Sequence, residues 1–218
     1  MVKTYVINII GAPGVGKTTI SALLFARLKL RGYICEYVQE YAKKLVWIKD
    51  FDSLNNQYHV TKKQYELLQQ IAGHVNFIVT DGPLIHGIYY NKYNKDNISN
   101  IEKTEKYILD SFNKFNNINI VLDRVNRKYE TEGRIQTEDE AKDIDIILKH
   151  LLEINSIKYV NYPAEESSLN NIIEFIVKFV KKDDNTEKLN TNSLTYYFLY
   201  KNWFIIKNYN IIIKTTRW

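Results

Sequence analysis

Apolar and polar positions fall into blocks that alternate between a short, strand-like run and a helical spacing. Val6 to Ile10 is a short apolar run, and Thr18 to Leu30 then sets Ile20, Leu23, Leu24 and Leu28 at helical spacing before Gly32. Ile34 to Val38 reads as a second strand. Thr61 followed by Gln64 has the form of a capping box, and Tyr65, Leu68, Ile71 and Ala72 supply the buried stripe of a helix that ends at Gly73. Val75 to Thr80 predicts a third, fully buried strand that stops at Asp81-Gly82-Pro83. Ser99 with Glu102 opens a helix bearing Ile101, Ile108, Phe112 and Phe115, and Ile118 to Leu122 forms a fourth strand. After polar residues 123 to 136, Thr137 with Glu140 caps a helix carrying Ala141, Ile144, Ile147, Leu148 and Leu151. Tyr159-Val160 marks a fifth strand, and Ser167 or Ser168 caps a last helix through about Lys181. Strands alternating with helices predict a three-layer α/β fold around a parallel sheet, with functional groups at the carboxyl ends of the strands.

The polar segment from Asp183 to Glu187 separates this core, residues 1–182, from an extension over 183–218 that is rich in Tyr, Phe and Ile and lacks Gly and Pro. That extension reads either as a strand-forming addition at a sheet edge or an oligomer contact, or as an adventitious appendage.

With 45% hydrophobic and 25% charged positions in 218 residues, the chain has material for one sizeable core. Disorder, collagen and coiled coil are excluded, and no apolar run reaches the roughly 20 residues of a membrane helix. The N-terminus lacks the apolar segment and cleavage site of a signal peptide, and the single cysteine, Cys35, fits a reducing compartment, so a cytoplasmic protein is expected. The net charge of +5 raises nucleic acid as a partner, but abundant Lys, Asn, Ile and Tyr also match A/T-rich coding. Residues 1–182 carry 25 basic against 22 acidic side chains and 183–218 carry 5 against 3, so neither segment is a strong basic patch.

Gly11-Ala12-Pro13-Gly14-Val15-Gly16-Lys17-Thr18, followed by Thr19, matches G-x-x-x-x-G-K-[ST] directly between a predicted strand and a predicted helix. Glycines let backbone N–H groups close around phosphate oxygens, and the helix N-terminus adds partial positive charge. Lys17 brings a charge to the β- and γ-phosphates, and the Thr18 hydroxyl can ligate Mg²⁺. The pattern therefore predicts a site for a nucleoside triphosphate with Mg²⁺.

Asp81, at the end of the third strand, either holds Mg²⁺ with Thr18 or opens the Asp-Gly-Pro turn through local hydrogen bonds. Glu40, after the second strand, either accepts a proton from a substrate hydroxyl, helps anchor the metal, or serves as an acidic first-turn residue of a following helix. Arg124, Arg127 and Arg134, with Lys128, form either a lid that neutralises a transferring phosphoryl group or a solvated loop paired with Asp123, Glu130 and Glu132. The four histidines have no metal-ligand spacing, and among many tyrosines Tyr58, Tyr65, Tyr89, Tyr90 and Tyr93 are candidates for a base-stacking platform.

These stretches resemble the P-loop kinases of the nicotinamide-riboside-kinase-like group, including phage-type ATP-binding proteins. The likeness runs over about residues 3 to 162, through Gly11 to Thr19, Val38 to Lys43, Gln57 to Gln64, Thr80 to Leu84, and Asp123 to Asp145. It implies a P-loop kinase fold with a five-stranded, mainly parallel sheet and an arginine-bearing lid. It further implies transfer of the γ-phosphate of ATP to a hydroxyl of a nucleoside, nucleotide or related compound, with Glu40 on the substrate side and Arg124, Arg127 and Arg134 in the lid. Related phage kinases act on 5-hydroxymethyluracil within DNA, which makes DNA an alternative acceptor; a nucleotide-driven switch ATPase is a further alternative. The chain departs from the group at Gly82, where many relatives carry serine beside the metal.

Overall fold

The computed structural model describes residues 1–125, 129–130 and 135–185. Five strands form one sheet in the order β2-β3-β1-β4-β5. They are β1 (Tyr5–Ile10), β2 (Cys35–Val38), β3 (Phe77–Thr80), β4 (Asn116–Asp123) and β5 (Val160–Pro163). Every pairing is parallel, with Ile7 opposite Val79 on one side and Ile118 on the other. All six residues of β1 are buried, as expected of a central strand covered on both faces. The alternating burial and the proline of β5 suit an edge strand, where a missing N–H costs no ladder bond.

The helices are α1 (Lys17–Leu30), α2 (Tyr41–Trp47), α3 (Phe51–Leu54), α4 (Gln57–Ile71), α5 (His86–Tyr93), α6 (Ile101–Phe112) and α7 (Glu138–Ile154). Ile20, Leu24 and Leu28 of α1 are essentially inaccessible, each such burial stabilising by roughly 1.5–3 kcal/mol. Val6 and Ile10 of β1 pack with Leu68 of α4, Ile88 of α5, Ile108 and Phe112 of α6 and Leu151 of α7 in one continuous core. The Thr137–Glu140 capping box is formed, Thr137 N–H donating to Glu140 at 2.7 Å and Glu140 N–H to Thr137 Oγ1 at 3.3 Å.

Two helix starts differ from the sequence reading. α4 begins four residues before Thr61, because Asn56 accepts the His59 N–H and is the N-cap. α6 is capped by Asn100, not Ser99, whose hydroxyl is engaged by Asn97 and Asn91. Ser168, read as a cap, closes a short 3-10 turn and directly precedes the last helix, which begins at 169.

The chain divides into two compact units, 1–173 and 174–218; of the second, residues 174–185 are described and are helical. No helix among the described residues is long and apolar enough to cross a membrane.

Candidate active site

The segment between β1 and α1 turns on glycine. Gly14 and Gly16 have φ of +76° and +110°, a region that side-chain-bearing residues rarely occupy. Gly16 is also the N-cap of α1 and gives its first turn no side-chain cap, which leaves the positive end of the helix to an anion. Lys17 Nζ reaches back across the loop to the Ala12 carbonyl at 3.1 Å.

Behind the loop, Asp145 of α7 accepts the Ala12 N–H on Oδ1 at 2.8 Å and Arg124 Nε on Oδ2 at 3.0 Å. Arg124 in turn donates to the Pro13 carbonyl at 3.0 Å, so the first arginine after β4 is tied to the loop itself. His86, at the start of α5, accepts the Gly11 N–H on Nε2 at 3.3 Å. Burial holds its imidazole pKa well below 6.5, with Lys17 adding to the effect, so it is neutral and the accepting nitrogen carries no proton.

In front of the loop, Thr18 Oγ1 donates to Asp81 Oδ2 at 2.6 Å, and Lys43 Nζ lies 3.5 Å from the same hydroxyl. Asp81 is 1% exposed, and its other oxygen accepts the Glu40 N–H at 3.0 Å. Glu40 is the N-cap of α2, yet its side chain makes no cap bond. Desolvation raises its carboxyl pKa, Lys17 opposes that rise, Asp81 adds to it and Lys43 opposes it. Tyr37 of β2 brings a buried hydroxyl to the same place; its pKa is raised by desolvation and then by Asp81.

Lys17, Thr18, Glu40, Lys43 and His86 line one cleft of about 980 Å³, the upper end of the ~300–1,000 Å³ typical of small-molecule sites. Gly14, Lys17 and Thr18 form one part of its wall, Glu40 and Lys43 another, and Tyr89, Tyr90 and Tyr93 of α5 a third. Tyr89 stacks on Tyr93 at 5.1 Å between ring centres. Tyr58 and Tyr65 instead pack on Tyr107 of α6, so only part of the predicted tyrosine set belongs to the cleft wall. Arg127, Lys128 and Arg134 lie outside the described residues.

A protein-family profile described as an AAA domain matches residues 6–168, from the first strand through the turn after β5. The chain belongs to this AAA domain family. No curated protein sequence matches it. Its fold is similar to that of a crystal structure of NadR protein in complex with NAD and AMP-PNP, with 16% identity and a TM-score of 0.59 over 78% of this chain and 49% of that one. The chain thus spans about half the length of that solved structure, and at this identity the likeness is one of fold: a five-stranded parallel α/β P-loop domain.

The AAA domain's residues fit a hard divalent cation. A hydroxyl and a carboxylate oxygen from two different elements already touch, both of the hard-oxygen kind that such an ion prefers. Thr18 and Asp81 would hold Mg²⁺ directly or through water.

Asp145, His86 and Gln64 are among the residues of this site that were not singled out from sequence. Asp145 sits on the apolar stripe Ala141–Ile144–Leu148 of α7, and a charge on a buried stripe is a readable sign of a tertiary partner. His86 carried no such sign. Gln64 was read as part of a helix cap, whereas it lies inside α4 and bonds to residues 39 and 41.

Proposed function

We propose that this AAA domain is an ATP-dependent phosphotransferase that moves the γ-phosphate to a hydroxyl of a nucleoside, nucleotide or related small molecule. The observation that carries the reading is the juxtaposition, in one cleft wall, of Lys17 and Thr18, the latter bonded to the buried Asp81, with a carboxylate, Glu40, that is not consumed in capping its helix. Residues 11–19 take the phosphates, with Lys17 on the β- and γ-oxygens. Thr18 and Asp81 would hold Mg²⁺, which when bound would supply charge neutralisation.

Glu40 takes the proton of the acceptor hydroxyl; that oxygen bonds to the γ-phosphorus as its bond to the β–γ bridging oxygen breaks, and ADP leaves. A carboxyl whose pKa lies above its ordinary value is better suited to receive that proton. Arg124, held at the loop by Asp145, joins Arg127 and Arg134 in neutralising the transferring group. Tyr89, Tyr90 and Tyr93 give the acceptor an aromatic wall. The phosphotransferase core is residues 1–182, with 183–218 an appended extension.

The test is transfer of labelled γ-phosphate from ATP-Mg²⁺ to nucleosides, nucleotides, nicotinamide riboside and 5-hydroxymethyluracil-containing DNA, with Lys17→Ala as control. Label on an acceptor that Lys17→Ala fails to produce supports the reading and separates small molecule from DNA. Label released only as free phosphate would replace it with a nucleotide-driven ATPase.

A further inference from the structure

The backbone that carries Glu40 is gripped by side chains of two other elements. Gln64 Nε2 donates to the Gln39 carbonyl at 3.2 Å, and Gln64 Oε1 accepts the Tyr41 N–H at 2.8 Å. Between them, the Glu40 N–H goes to Asp81. Three consecutive residues therefore have a backbone group taken by a side chain from α4 or from the end of β3. An N-cap side chain ordinarily turns back onto the N–H of the second or third helical residue, which leaves the first helical N–H to a partner from outside. Here Gln64 satisfies the first N–H of α2 from outside, and Glu40 makes no cap bond.

Gln64 is 5% exposed, and its amide spends one donor and its acceptor on this task. Packing tightens the grip, since a Cβ on Gly82 would stand 2.6 Å from Glu40 Cα and 3.1 Å from Gln64 Oε1. The Thr61–Gln64 spacing that imitates a capping box is thus a helix-interior pair, with Thr61 accepting from Gln57 Nε2 at 3.2 Å and Gln64 capping a different helix.

We propose that Gln64 is a positioning residue for Glu40: by holding the Gln39 carbonyl and the Tyr41 N–H it fixes the backbone on both sides of Glu40, and with it the place from which the carboxylate acts. The proposal rests on the reading of Glu40 as the substrate-side carboxylate. It predicts a dependence through Glu40 and through no contact of Gln64 with the phosphate loop. Misplacement of a reacting group by about an ångström costs up to roughly a hundredfold, and a group that acts through another loses its effect once that other is removed.

The experiment is a double-mutant cycle with Gln64→Met, which keeps the length and apolar stem of the side chain and removes both hydrogen bonds, and Glu40→Gln. Each is assayed with labelled ATP-Mg²⁺ and the acceptor from the panel that takes label. Gln64→Met is expected to lower kcat about 10- to 100-fold with ATP KM within about twofold, to speed hydrogen exchange at the Tyr41 amide, and to cost less than about twofold more in the Glu40→Gln background. If Gln64→Met leaves kcat unchanged, or if the two losses multiply while Glu40→Gln alone is impaired, the positioning role is overturned and the Glu40 reading stands. If Glu40→Gln alone is unimpaired, the Glu40 reading falls and takes the proposal with it. Should Gln64→Met fail to fold, Gln64→Glu, which keeps an acceptor for Tyr41 and loses the donor to Gln39, goes through the same cycle with the same criteria.

Discussion

Thr18 donates its hydroxyl proton to Asp81 across 2.6 Å, although the two stand 63 positions apart in the chain. The parallel pairing of β1 with β3 brings this about, since it sets the start of α1 beside the strand end that Asp81 follows. Asp81→Asn keeps an oxygen for the Glu40 N–H but loses the charge. It is expected to raise the Mg²⁺ concentration for half-maximal transfer by about 10–100-fold or more, with Thr18→Ala acting in the same direction. Chelation by EDTA should stop transfer and added Mg²⁺ restore it. A magnesium titration of Asp81→Asn that overlays wild type would remove both residues from the metal.

Gly82, the departure noted in the sequence, directly follows Asp81 and packs against the backbone of Glu40. A Cβ there would come within 2.6 Å of Glu40 Cα and 3.0 Å of Glu40 Cβ, closer than backbone packing allows. Gly82→Ala is expected to destabilise by about 1–3 kcal/mol, as overpacking does, and to lower kcat more than it changes ATP affinity. Urea denaturation and steady-state kinetics measure the two effects. Wild-type values of both would mean that the segment 39–41 yields without cost.

Much of this site was legible where a local pattern and a tertiary need coincide. The loop from Gly11 to Thr18 and the Thr137–Glu140 box are local, and both form as read. The helices α3 and α5 were not read, and α2 was read only as one alternative for the residues after Glu40, because they are short and take their order from elsewhere: the first N–H of α2 goes to Gln64 of another helix, and α3 is four residues long. The strand ends moved by up to two residues, as when Val75 is buried yet precedes β3. Gln64 and Asp145 act across the fold on backbone groups, and a sequence pattern has no marker for a partner that only the sheet brings near.

Cys35 reports on the opening of the sheet edge. Its side chain lies in β2, fully inaccessible, and burial pushes its thiol pKa up to about 12. At pH 8 it is protonated and out of reach, so iodoacetamide should label the native protein at least about a thousandfold more slowly than the urea-unfolded chain. The rate should climb with urea along the unfolding curve. Rapid labelling without denaturant would mean that β2 detaches from β3 in the native state.

His86 ties the phosphate loop to pH. Its folded pKa lies well below 6.5 because of burial and then Lys17, whereas the unfolded chain protonates near 6.5. Below that value the unfolded state binds more protons than the folded one, so stability is full above pH 6.5 and falls as pH drops through the window beneath it, with a slope reaching ~1.4 kcal/mol per pH unit. Between pH 6.5 and 5.5 the single group is expected to cost about 1 kcal/mol. His86→Gln retains an acceptor for the Gly11 N–H and removes the titration, so urea curves at the two pH values should separate less for the variant by that amount. Equal separation in both proteins would show that His86 takes up its proton without unfolding the chain.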